Sequence, residues 1–304
     1  MKKIIAFITC IVFPLCAGVP LVHGKPSDKE QIPVVVSIYP LKDMVQHVGG
    51  DRVHVDFMVP PGASPHTFEP KPSDMMKVHN AKLFVIVGAG LEFWAGKTIR
   101  SAGGRGLKVL TLSDGLPLLY GTDSHDEDHR SQGRSADPHV WLDPQLAKEM
   151  VNSIARGLIE LDPSHERYFR ENAERFKTEI DRLDAFIAAK IGTFRIKEYV
   201  TFHSAWNYFS RRYALRVLGV IEESPGKEPS PKHIARLVNE VKRSGTRVVF
   251  AEPQFSPKIA EVIARETGAR VLFLDPNGGP GLRGRDSYIG LMRYNLSVLE
   301  EAMK

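Results

Sequence analysis

The chain has 304 residues, 42% apolar and 25% charged, with a formal net charge of +5. That composition belongs to a globular protein long enough for two ordinary domains, and it excludes a disordered or fibrous chain. The positive excess is mild and forms no basic stripe with interleaved aromatics, which argues against nucleic-acid binding.

The first 24 residues read as a secretory signal peptide: Lys2 and Lys3, then an apolar run ending at Val22-His23-Gly24. Pro14, Gly18 and Pro20 break the run, so a membrane span of roughly 20 apolar residues is not expected. Cleavage near Gly24 lowers the net charge to +3 by removing those two lysines. It also removes Cys10 and Cys16, the only cysteines, so disulfides and thiolate metal sites are excluded from the mature chain. Lipidation at Cys16 is disfavoured, because Phe13 and Leu15 stand where lipoprotein signals carry small residues.

β-Branched runs predict strands over 33–40, 53–59, 83–90 and 108–112, then over 198–203, 215–221, 247–253 and 270–276. Amphipathic stretches predict helices over 41–49, 73–79, 91–100, 144–160, 164–190, 231–243, 256–267 and 286–303. Strands alternating with helices imply α/β architecture with parallel sheets flanked by helices. Between the fourth strand and the fourth helix lies a polar segment, 121–137, carrying His125 and His129 among acids. It reads as a loop, with or without weak metal affinity. The stretch 163–192 is too long for an ordinary crossover. Phe169, Ala173, Phe176, Ile180, Leu183, Phe186 and Ile187 recur every three or four residues along it. It reads as one rigid helix joining two lobes. The expected division is an N-terminal lobe over 25–160, a linking helix over 161–192 and a C-terminal lobe over 193–304.

Four residues stand at strand ends or in stiff turns: His66 in SPHTFEPKPSD, His139 in DPHVWLDP, His203 in VTFHSAWNYF and Asp275 in FLDPNGG. Prolines 61, 65, 70 and 72 surround His66 and restrict both themselves and the residues before them, so this histidine is presented by a stiff loop. Ligands of open α/β sheets bind outside the carboxyl ends of strands. Placed so in two lobes, the four residues face one cleft. Three imidazoles and one carboxylate suit Zn²⁺, whereas oxygen-richer sites suit Mn²⁺. A fourth protein ligand would fill the position a catalytic zinc keeps open, and there is no HExxH motif. Such a site points to carrying the ion and not to hydrolysis. His47, His54, His79, His165 and His233 read as structural, and Glu222, Glu223 and Glu252 as surface or interface residues.

The segments PGASPHTFEPKPSD, LFVIVGAGLEFW, DPHVWLDP, TFHSAWNYF, VVFAEPQFSP, IARETGARVLFLDP and LMRYNL run in one order over 33–303. In these the chain resembles the metal-binding solute-binding proteins of bacterial ABC importers, above all the zinc-uptake members. The resemblance implies two α/β lobes joined by a rigid helix, with metal in the cleft between them. It implies His66, His139, His203 and Asp275 as ligands of a transported Zn²⁺, an ABC permease as partner, and a periplasmic monomer. Manganese members carry Glu at the third ligand position, so His203 favours zinc. Zinc members often have a longer histidine-rich loop where 121–137 lies, and some have a disulfide in the second lobe that this chain cannot form. Alternatives are a manganese or iron carrier, a surface adhesin with structural metal, and a secreted zinc hydrolase.

Overall fold

The computed structural model describes residues 31–102, 106–120 and 135–304. The expected signal peptide, both cysteines, His125 and His129 lie outside them. Among the described residues there are eight strands in two parallel sheets. The first is built from β1 (Ile32–Val36), β2 (Val53–Phe57), β3 (Leu83–Ile86) and β4 (Lys108–Thr111) in the order β2-β1-β3-β4. The second is built from β5 (Glu198–Thr201), β6 (Arg216–Val220), β7 (Val248–Ala251) and β8 (Arg270–Phe273) in the order β6-β5-β7-β8. The order is the same in both lobes. In each, the chain adds one strand on one side of the first and then two on the other, which creates a switch point beside the first strand. Crevices at such points receive ligands at the carboxyl strand ends.

Helices cover the sheets: α1 (Tyr39–Gly49), α2 (Pro72–Asn80), α3 (Ala95–Ala102) and α4 (Pro144–Leu161) in the first lobe, and α6 (Asn207–Arg212), α7 (Pro231–Ser244), α8 (Lys258–Thr267) and α9 (Tyr288–Met303) in the second. The helix between the lobes, α5 (Glu166–Gly192), has 27 residues, roughly 40 Å at 1.5 Å per residue. It packs on α1, α4 and α9 through Phe169, Ala173, Phe176, Ile180, Leu183, Ile187 and Ile191. Phe186, expected in this stripe, is partly exposed and lies under the Arg293 guanidinium at 4.7 Å. Polar ties fix α5 at both ends of its contact face. Asn172 donates to the Val48 carbonyl at 2.9 Å, and Asp184 accepts from Arg212 Nε at 2.6 Å and the Tyr213 hydroxyl at 2.8 Å.

One core cluster includes β1 and β3, the buried face of α5, Tyr199, Phe250 and Leu274, so the core is continuous through both lobes. Every strand ends before its expected limit. Residues 87–90, 202–203, 252–253 and 274–276 leave the ladder and build the site. Among the described residues no helix is long and apolar enough to cross a membrane.

Candidate metal centre

His66 sits in the loop after β2. Trp94 holds this loop: its indole N–H donates to the Pro65 carbonyl at 3.0 Å, and its ring packs edge-on against Phe68 at 5.2 Å. Trp94 is itself placed by the turn after β3, where Glu92 accepts the Val87 and Gly88 N–H groups, each at 2.9 Å. Gly88, Ala89 and Gly90 there adopt φ of 85°, 51° and 87°, which ends the strand.

His139 precedes a short 3₁₀ turn, Val140–Leu142, whose three residues are fully buried. The Trp141 N–H donates to the Pro276 carbonyl at 2.8 Å, which ties the His139 turn to the neighbour of Asp275. His203 leaves β5 in extended conformation and opens a second 3₁₀ turn, Ser204–Trp206.

The three histidines converge from both lobes. His66 Nε2 lies 3.1 Å from His139 Nε2, and His203 Nε2 lies 3.3 Å from His139 Nε2. One ligand atom from each falls within 4.8 Å of the others. Two nitrogens 2.0–2.1 Å from a tetrahedral zinc are about 3.3 Å apart, so this is the spacing of the edges of a zinc coordination shell. The cavity they share measures about 10 Å³, room for roughly one water-sized centre.

The outer nitrogens of the two buried rings meet carboxylates. His139 Nδ1 lies 2.8 Å from Asp137 Oδ1, and that carboxylate is itself held by the Asn207 amide at 3.0 Å. His203 Nδ1 lies 2.7 Å from Glu252 Oε2, a close ion contact off the line of a straight hydrogen bond. Carboxylates in this position fix the tautomer and aim the opposite nitrogen at the metal. Burial and the neighbouring imidazoles push His66 down to about 3. Burial also lowers His139 against the pull of Asp137. Burial, the largest single influence, works to lower His203 too, but Glu252, with Glu222 and Asp137 adding to it, turns the net direction upward.

The structure thus brings together His66, His139 and His203. It does not bring in Asp275, which is fully buried and bound to Arg285 at 2.9 Å. The expectation for Glu252 is corrected: it has no exposed surface and faces a site histidine. Glu222 is half-buried, raised mainly by burial, and accepts the Gly226 N–H at 2.8 Å. Glu223 lies at the surface with Arg236. Sequence reasoning missed the roles of Asp137 and Trp94, although the first opens DPHVWLDP and the second closes LFVIVGAGLEFW. An acid two residues before a histidine and an aromatic four residues past a glycine turn were the available signals. Among the described residues the five other histidines, His47, His54, His79, His165 and His233, each meet a neighbouring polar group away from the site, His54 at the surface beside Asp56. His47 also stacks on Phe176 at 4.1 Å and His233 meets the Val220 carbonyl at 2.8 Å.

Comparison with known proteins places the chain in a family. The model of the family described as zinc-uptake complex component A, periplasmic, matches residues 34–302. A relative from Brucella abortus named high-affinity zinc uptake system protein ZnuA is 31% identical, over 92% of this chain and 94% of its own. A crystal structure of ZnuA superposes with a TM-score of 0.81 at 31% identity, covering 90% of this chain and all of the other. A laminin-binding protein of Streptococcus agalactiae, described as bifunctional with adhesin and metal-transporting activity, superposes with a TM-score of 0.78 at 35% identity, with the same coverage. With nearly its whole described length matched, the chain belongs to the family of periplasmic zinc-uptake components, the ZnuA family of metal-binding solute-binding proteins.

Proposed function

We propose that the protein captures Zn²⁺ in the periplasm and delivers it to the membrane permease of an ABC importer. The observation that carries this reading is the pair of Nε2 separations, 3.1 and 3.3 Å, in a cavity the size of one ion. The proposed ligands are His66, His139 and His203, with Asp275 as the fourth. An imidazole-rich set suits zinc over manganese, which prefers oxygen ligands. Asp137 and Glu252 supply two negative charges behind the rings and offset the charge of a dication. The protein works by binding, and the family is one of transport proteins.

Residues 1–24 act as a cleavable leader, and the mature chain is a free monomer. The division into lobes falls at 25–160 and 193–304, with 161–192 linking them. A long helix packed along its length resists wide hinge motion, so loading and release proceed by small lobe shifts and loop rearrangement. A second reading comes from the Streptococcus agalactiae neighbour, in which adhesion is combined with metal transport.

Deleting the gene and following radiolabelled zinc at limiting concentration tests the proposal. Loss of high-affinity uptake, restored by the parent gene, is the expected result. Undiminished zinc uptake with lost attachment to laminin would favour the adhesin instead.

A further inference from the structure

The carboxylate proposed to close the metal site is engaged elsewhere. Asp275 Oδ1 accepts the backbone N–H groups of Asn277 and Gly278, each at 3.0 Å, and the Gln254 side-chain amide at 3.2 Å. Those three neutral donors saturate it. Oδ2 accepts Arg285 Nη1 at 2.9 Å. Asp275 stands directly behind the cavity wall, because Gln254, Pro276 and Asn277 line the cavity together with the three histidines. Two buried oxygens in that wall, Gln254 Oε1 and Asn277 Oδ1, have no hydrogen-bond partner. This side of the cavity is therefore incompletely satisfied.

A metal dication and a guanidinium repel one another across a single carboxylate oxygen, most strongly where water is scarce. We propose that Arg285 competes with bound zinc for Asp275 Oδ2, so that loading drives Arg285 off the carboxylate and unloading lets it return. The inference rests on the zinc reading above. Arg285 acts as a positioning residue: it touches Asp275, and reaches the metal only through it.

The surroundings suit such an exchange. The Arg285 guanidinium lies 4.8 Å from the Tyr294 ring, a cation–π resting place that remains when the ion pair opens. The Arg285 backbone closes the loop 276–286, its N–H donating to the Leu282 carbonyl at 2.8 Å and its carbonyl accepting the Gly279 N–H at 3.0 Å. Gly278 takes φ of 62°, and a side chain there would strike the Arg285 carbonyl. A side chain on Gly279 would strike Pro61, in the loop that carries His66. The loop that carries Arg285 thus packs against the His66 loop and also carries the exposed residues Arg283, Gly284 and Asp286.

The test uses the mature, chelator-stripped protein with zinc alone as probe. R285Q removes the competing charge. Zinc is expected to leave this variant at least about fivefold more slowly than the parent in exchange against excess chelator, the effect of losing a modest ion-pair competitor. In a D275N background R285Q should have no effect on release. A merely structural role for Arg285 predicts the opposite sign, a looser loop and faster loss. Unchanged or faster release from R285Q overturns the proposal. A crystal structure of the zinc-loaded parent supplies a readout independent of any variant: Arg285 displaced from Oδ2 supports the exchange, and Arg285 still bound there overturns it. A parent that retains no zinc overturns the zinc reading as well, which separates the two failures.

Discussion

Replacing His139 by alanine is expected to weaken zinc binding by roughly 100- to 1,000-fold. Zinc held by four protein ligands in small domains is bound by about 10–16 kcal/mol, or roughly 2.5–4 kcal/mol per ligand, and each 1.4 kcal/mol is about tenfold. His139 is the central member of the set, because both measured Nε2 contacts involve it. Its removal leaves the other two nitrogens without the vertex between them. Asp137 keeps its Asn207 partner, and Val140, Trp141 and Leu142 remain packed, so the fold should survive. Competition against a chromophoric chelator measures the loss, with the melting temperature of the stripped protein as control. Affinity within tenfold of the parent would remove His139 from the ligand set.

Glu252→Gln is expected to weaken zinc binding by about 10- to 100-fold at pH 8, the usual effect of removing a carboxylate behind a histidine ligand. It should also change the pH profile. In the metal-free parent, Glu252 holds His203 above the ordinary imidazole value, and zinc must expel that proton to bind. Parental affinity therefore rises about tenfold per pH unit up to the raised value, then levels. His66, held to about 3, carries no proton between pH 5 and 8, and His139 is lowered by burial. Just below the break the slope is therefore set by His203, the one site histidine held above the ordinary imidazole value. In the glutamine variant burial acts on His203 with little opposition, and the break in the profile moves to lower pH. Asp137 and Glu222, the other acids acting on His203, remain in both proteins. A weakened variant whose break stays in place would mean that Glu252 supports the fold and does not tune the ligand.

The strands were legible because β-branched runs bounded by turns have few other solutions, and all eight occur. Their ends were not. The run LFVIVGAG looks uniform in sequence, yet positive φ at Gly88, Ala89 and Gly90 stops β3 at Ile86. The six residues of α6 are too short for a periodic signal. The histidines could be read from sequence because stiff turns and strand ends mark where side chains are presented. Ion pairs across a glycine-rich loop have no such mark. Nothing in FLDPNGGPGLRGRD distinguishes Arg285, which meets Asp275, from Arg283, which is exposed. Glu252 was misjudged for a related reason: the next residue, Pro253, is exposed, and only the packing of β7 beside β5 turns the glutamate inward against His203.

The most direct measurement is native mass spectrometry of the mature, chelator-stripped protein offered zinc and manganese in equal amounts, beside His203→Glu. One tightly held zinc is expected in the parent, with a gain of manganese in the variant. Manganese preferred by the parent, or no metal retained, would contradict it.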